Sequence, residues 1–267
     1  IDVSLVGSEM CIRDSINSLI KFLDQNPGAP VTAVMMVYDK PPFAVIGRKS
    51  RGVSGPGDLE GSVLGAPPPD GAWAQFPSFA KANGIDISKV KVEPVGFPTR
   101  EPMLAEGKVD SVTGFSFSSY LNLVRLGVPE EDISTILMAD HGLKLYGNAV
   151  IVNTDYAKNN SDMVKKFLVA IGAGWRDAIK DPKAAAAALV KRNPAADAAL
   201  EQRRLQLAID ANVLTDYVKA NGMGGVDSSR FAAAIEQLSE TYEYKAAPNA
   251  ALYFTDEYLP ASGISVN

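Results

Sequence analysis

The sequence predicts an α/β fold around a parallel sheet, and three observations carry that expectation. Between residues 62 and 138, short apolar runs alternate with segments of helical period, at the spacing of strand–helix crossovers. The run at 31–38 (VTAVMMVY) is almost wholly apolar and rich in β-branched residues, as a strand covered on both faces requires. Two polar stretches, within 95–102 (VGFPTREP) and 109–118 (VDSVTGFSFS), fall beyond the carboxyl ends of predicted strands, where such sheets hold ligands. They offer an arginine, hydroxyls and three aromatics, but no nucleophile–base pair and no metal pair. That is equipment for gripping a small molecule without altering it.

The elements follow in order. Residues 1–15 (IDVSLVGSEMCIRDS) have neither the charged-then-apolar layout of a signal peptide nor a strand or helix period. The piece 8–15 resembles translated sequencing-adaptor read-through, so 1–15 is expected to be a non-native leader outside the fold. A genuine disordered tail is the alternative. Ile16, Leu19, Ile20 and Leu23 recur at helical spacing, and Pro27-Gly28 ends that helix. After the strand at 31–38, Asp39-Lys40-Pro41-Pro42 makes a turn into a second strand at 43–46. The stretch 47–61, rich in glycine, reads as the best domain boundary.

A strand at 62–66 leads through three prolines to Asp70, the expected N-cap of a helix carrying Trp73, Phe76 and Phe79. Strands at 90–95, 109–113 and 133–138 then alternate with helices at 99–107 and 118–126. After Asp140-His141-Gly142 a strand at 145–152 opens a mostly helical remainder. Ser161 caps a helix whose stripe includes Val164, Leu168 and Trp175, the last a core residue. Helices follow at 184–191, 195–213 and 230–242, then an irregular tail.

Composition narrows the function. The 267 residues suffice for one large domain or two lobes. Net charge is −5 and no Lys/Arg cluster stands out, which argues against a nucleic-acid partner. No run of about 18 apolar residues occurs to span a membrane. With one cysteine (Cys11) and one histidine (His141), a thiol–imidazole pair or a zinc site has almost nothing to draw on. No metal or other cofactor is expected, and His141 is expected to be exposed and is assigned no role.

Several residues are candidates for ligand contact. Arg100 falls in the first turn of its helix, where a cation is unfavourable by roughly 0.3–1 kcal/mol. A bound anion would offset that, and so would an ion pair with Glu101, Asp70 or Glu93. Replacing Arg100 by Ala is then expected to abolish any anion response and to leave stability nearly unchanged. Phe97, Phe115 and Phe117 are either platforms for a ligand ring or packing between loop and sheet. Ser116 and Ser118 serve an oxyanion or cap a helix, and Asp70 as a capping carboxylate occupies the place of an anion. Tyr38 and Tyr146 face a cleft or the core, and Asn148 is placed similarly.

Residues 43–52 (FAVIGRKSRG) and 95–118, with 58–61 (DLEG), 145–149 (LYGNA) and 254–260 (FTDEYLP), resemble a known family. It is that of ABC-importer substrate-binding proteins of the nitrate/sulfonate/taurine and thiamine-pyrimidine-precursor type. The likeness covers nearly everything from residue 16, and GFPTREPMLAEGKVD with downstream GFSFS is its most specific part. It implies an α/β, two-lobed periplasmic binding protein-like fold with ligand trapped in a cleft between the lobes. Lobe I would combine 16–50 with 141–267, and lobe II would be 51–140. The turns near Asp70, Phe97, Thr99, Arg100 and Glu101, and at Phe115, Ser116, Phe117 and Ser118, would face the ligand. Tyr38, Phe43, Tyr146 and Asn148 would lie near the crossings.

The resemblance further implies a monomeric, non-enzymatic protein in the periplasm or another extracytoplasmic space. It would deliver a small anionic or heteroaromatic nitrogen or sulfur compound to ABC permease subunits in the membrane. Family members begin with a signal peptide, a first strand and a βαβ unit, for which this sequence has the leader-like segment. Lobe I is therefore expected to be incomplete, with the signal peptide lost upstream and a sheet edge left unpaired. Ser62 stands where a basic residue is common. Two other functions remain open on related folds: a pyrimidine-precursor biosynthetic enzyme, whose histidine and cysteine-rich iron motif are missing here, and the ligand-sensing domain of a regulator.

Overall fold

The computed structural model describes residues 11–266, with 11–14 described by backbone alone. The chain divides into two compact units, one comprising the residues up to Pro41 and those from Leu145, the other running from Pro42 to Lys144. In chain order, the first unit opens with β1 (Cys11–Ser15), α1 (Ile16–Gln25) and β2 (Val31–Met36). The second holds β3 (Phe43–Arg48), β4 (Val63–Ala66), α2 (Gly71–Ala82), β5 (Lys91–Pro94), α3 (Phe97–Ala105), β6 (Ser111–Phe115), α4 (Ser116–Arg125) and β7 (Ile133–Leu137). The chain then re-enters the first unit with β8 (Asn148–Asn153), α5 (Thr154–Asn159), α6 (Ser161–Lys180) and α7 (Pro182–Arg192). There follow α8 (Ala198–Ala208), which runs into a π-helical turn at Ile209–Val213, then α9 (Asp216–Asn221), α10 (Ser228–Ser239) and α11 (Ala250–Tyr253).

The sheet of the second unit has the order β5-β4-β6-β3-β7. It is mixed, where the sequence predicts parallel. β4 pairs parallel with β5 and β6, but β3 runs antiparallel to both β6 and β7. The reason lies in the connections. β4, β5, β6 and β7 follow one another through the helices α2, α3 and α4, and a helical crossover returns the chain to the same direction. β3 reaches β4 through residues 49–62, which form short 3₁₀ turns and no α-helix. Ala44, Ile46, Leu104, Val112, Leu123 and Leu137 build a buried cluster beneath α3 and α4. Truncating such a leucine to alanine typically costs about 2–5 kcal/mol.

The expected boundary in 47–61 is corrected by the same region. Arg48 Nε donates to Asp132 Oδ2 at 2.8 Å, Ser50 N donates to Asp132 Oδ1 at 2.7 Å, and Arg51 Nη2 reaches Asp110 Oδ1 at 2.9 Å. These bonds fasten the glycine-rich stretch to its own sheet. The division falls instead at Pro41/Pro42, so β3, expected with 16–50, belongs to the second unit.

In the first unit β8 is the centre of an antiparallel sheet, β1-β8-β2. Residues 11–15, expected outside the fold, pair with β8 from Cys11↔Val152 to Ser15↔Asn148. The other leader residues, 1–10, lie outside the described residues. Ile16, Leu19 and Ile20 are buried where α1 packs on β1 and β2, as their spacing predicts. Residues 145–147, expected to begin a strand, form the approach to it.

Candidate functional site: three helix starts in the second unit

β4, β5 and β6 are parallel neighbours, so their carboxyl ends lie along one edge of the sheet and α2, α3 and α4 start there together. The sequence expects polar loops at these points, but the helices begin almost at once. Gly96 is the N-cap of α3 and Phe115 the N-cap of α4. Arg100 and Glu101 therefore sit in the first turns of α3, and Ser116, Phe117 and Ser118 in the first turn of α4.

Side chains from all three helix starts meet. Asp70 caps α2, its Oδ1 accepting from Ala72 N at 3.2 Å, while its Oδ2 accepts from Thr113 Oγ1 at 2.7 Å. Arg100 Nη1 lies 3.6 Å from Asp70 Oδ2. Arg100 Nε and Nη2 both donate to Glu101 Oε1, at 3.0 and 2.6 Å, and Nη2 also donates to Ser119 Oγ at 3.1 Å. The Arg100 side chain is 9% exposed and those of Asp70 and Glu101 are 5% exposed, so water does little to screen the cluster. Gly114 makes room for it: a Cβ there would collide with Ser119 Oγ and come within 3.1 Å of Arg100 Cζ.

Aromatic rings border the network. Phe43 and Phe115 have ring centroids 5.9 Å apart, and Phe115 and Phe117 likewise 5.9 Å. Phe97 is 49% exposed, with its ring 5.6 Å from the Arg100 guanidinium. Among the described residues, no three of the His, Cys, Asp or Glu side chains converge to hold a metal ion.

A family model described as "NMT1/THI5 like" matches residues 7–185. The chain belongs to the NMT1/THI5-like family. The riboflavin-binding protein RibY of Chloroflexus aurantiacus is 25% identical over 244 residues, covering 89% of this chain and 67% of the relative. The periplasmic aliphatic sulphonate-binding protein SsuA of Escherichia coli has the same fold, with a TM-score of 0.69 at 13% identity over 90% of this chain and 72% of the other. So does the desulfurization enzyme DSZB, with a TM-score of 0.62 at 10% identity over 95% and 85%. The fold is thus the α/β fold of periplasmic binding proteins, as the sequence resemblance implies. It houses both binders and an enzyme, so function in this NMT1/THI5-like chain has to be argued from its own residues.

The expected site residues fare unequally. Asp70, Arg100 and Glu101 are joined in one network in the second unit, and Phe43, Phe115 and Phe117 follow one another in tilted and edge-on contacts. The ion-pair alternative describes Arg100, with Glu101 and Asp70 as partners. Phe43 is fully buried in β3, and Thr99 is exposed with its Oγ1 donating to Gly96 O at 3.1 Å. Neither Ser116 nor Ser118 is an N-cap; Ser116 is buried and its N–H donates to Pro42 O at 2.9 Å.

Tyr38, Tyr146 and Asn148 belong to the first unit. Tyr38 is 6% exposed. Tyr146 is a core residue, fully buried, with the Arg230 guanidinium 4.0 Å from its ring and its hydroxyl accepting from Asp227 N at 2.9 Å. Burial pushes its phenol up to about 12, against the pull of Arg230. Asn148 has a buried Oδ1 with no hydrogen-bond partner among the described residues. His141 is half-buried, edge-on to Phe79 at 6.4 Å.

Sequence reasoning missed Thr113 and Ser119. Gly114 between them was the available signal, a strand-end glycine that permits close approach. A cavity of about 920 Å³ lies elsewhere, in the first unit, lined by Asp24, Val31, Thr32, Thr154 and Tyr253 among others. It is at the start of β2 and the end of β8. None of the expected site residues lines it.

Proposed function

We propose that the chain is the solute-binding component of an ABC importer and captures a small anionic or heteroaromatic nitrogen or sulfur compound. It would work outside the cytoplasm and pass its ligand to permease subunits. The observation that carries this reading is the convergence of α2, α3 and α4 on one cluster of hydroxyls, phenyl rings and an internally neutralised arginine. Such groups orient and hold. Asp70 and Glu101 spend their acceptor capacity largely on Arg100, Thr113 and Ala72 N, which ties them to structure rather than to moving protons. Likeness to RibY, a riboflavin binder, and to SsuA, a sulphonate binder, supports a small-molecule cargo and brackets its chemistry.

The test is a thermal-shift screen of this chain against sulfonates, nitrate, aminopyrimidines and flavins, with each ligand recovered and weighed by mass spectrometry. A dose-dependent rise in melting temperature with ligand recovered intact is the expected result. Conversion of the compound to a product would remove the proposal.

A further inference from the structure

We propose that Arg230 is the positioning residue of the two chain crossings, one guanidinium that pins both from within the first unit. The inference goes beyond the solute-binding reading and depends on no ligand. The chain leaves the first unit after Pro41 and re-enters it at Leu145. Asp39 and Leu145 thus stand at the two exits, and Arg230 in α10 holds both. Its Nη1 donates to Asp39 Oδ1 at 3.0 Å, and its Nη2 donates to Asp39 O at 2.6 Å and to Leu145 O at 2.9 Å. A planar guanidinium can serve a carboxylate and two carbonyls at once, as the point charge of an ammonium cannot. The Asp39 side chain is 5% exposed, so water does little to weaken these charge-assisted bonds.

The guanidinium is itself fixed in place. It lies 4.0 Å from the centre of the Tyr146 ring, whose hydroxyl accepts from Asp227 N. Asp227 in turn caps α10, its Oδ1 accepting from Arg230 N at 2.7 Å.

Other bonds hold the same two segments. Thr215 Oγ1 donates to Asp39 Oδ2 at 2.6 Å. Lys40 N donates to Asn212 O and Asn212 Nδ2 to Lys40 O, each at 3.1 Å. Asn212 lies in the π-helical turn, a form found often at functional sites. The segments are also joined to each other: Gly147 N donates to Tyr38 O at 2.9 Å, and Asn148 O accepts from Val37 N and Tyr38 N at 2.9 and 3.1 Å. That approach needs glycine, because a Cβ on Gly147 would lie 2.6 Å from Tyr38 Cβ. Any rearrangement between the units is therefore taken up within a few residues of Pro41 and Lys144.

The test combines amide hydrogen exchange with double electron–electron resonance between two spin labels. The labels go on exposed positions, Leu126→Cys in the second unit and Leu189→Cys in the first, with Cys11→Ser removing the native thiol. Adding Arg230→Met should widen the distance distribution about twofold and speed exchange at the Lys40 and Gly147 amides about tenfold, with α1 and β6 unchanged. Arg230→Lys keeps the charge but cannot reach Asp39 and Leu145 O together, so it should restore protection at Lys40 and not at Gly147. An unchanged width and unchanged exchange in folded Arg230→Met overturn the inference. Equal acceleration throughout the first unit also overturns it, since that would mark a merely structural residue. In the unaltered protein the Lys40 and Gly147 amides should exchange as slowly as those of β8. Exchange there at the rate of an open chain overturns the inference without any variant having to fold.

Discussion

Arg100 illustrates how one side chain changes meaning once its neighbours are known. From sequence it was a cation in the first turn of a helix with an anion to find. In the fold its guanidinium is divided among Glu101, Ser119 and Asp70. Arg100→Ala is therefore expected to destabilise the protein by about 3–5 kcal/mol, because it strands two buried carboxylates. Urea unfolding of the variant measures this, and a change below about 1 kcal/mol would put Arg100 outside the framework. Asp70 as a helix cap was legible because capping acts over two residues, and local sequence contains both partners. The bond from Thr113 to the same carboxylate was not, since it joins positions 43 apart across two strands. The clamp of Arg230 on Asp39, at 3.0 Å, spans 191 positions and leaves no trace in sequence at all.

Helices and strands were legible wherever their period was local, as in α1 with Ile16, Leu19 and Ile20, or α2 with Phe76 and Phe79. Strand direction was harder, because it depends on what connects two strands rather than on what composes them. Residues 47–61 read as a boundary from their glycines, yet Asp132, just before β7, fastens the stretch to the sheet. Burial alone would raise the Asp132 pKa, but bonds from Ser50 N, Arg48 and the Ser50 hydroxyl outweigh it and hold the carboxyl below its ordinary value. A depressed carboxylate stabilises the fold above the unfolded value of about 4, and that contribution is lost as pH falls through the folded value. Asp132→Asn should thus lower stability at neutral pH and flatten the decline below about pH 4. Denaturant melts at several pH values would reveal it, and parallel curves for the two proteins would show that Asp132 contributes nothing to acid unfolding.

The chain as assembled contains two units of different character, a mixed sheet whose helices start together and an antiparallel sheet within a largely helical remainder. The convergence in the second unit follows from topology: three parallel strands in a row must deliver their three helices to one edge. That much the alternation of the sequence allowed. Which charges would cancel there, and hence which ligands would be welcome, depended on contacts between α2, α3 and α4 that no local pattern encodes. The competing location is the cavity of about 920 Å³ in the first unit. An amide ¹H–¹⁵N spectrum recorded while ligand is titrated into the labelled chain separates the two. The largest shifts are predicted at residues 70–72, 97–101 and 113–119; shifts concentrated at 23–32, 154–161 and 246–258 would contradict the assignment of the site.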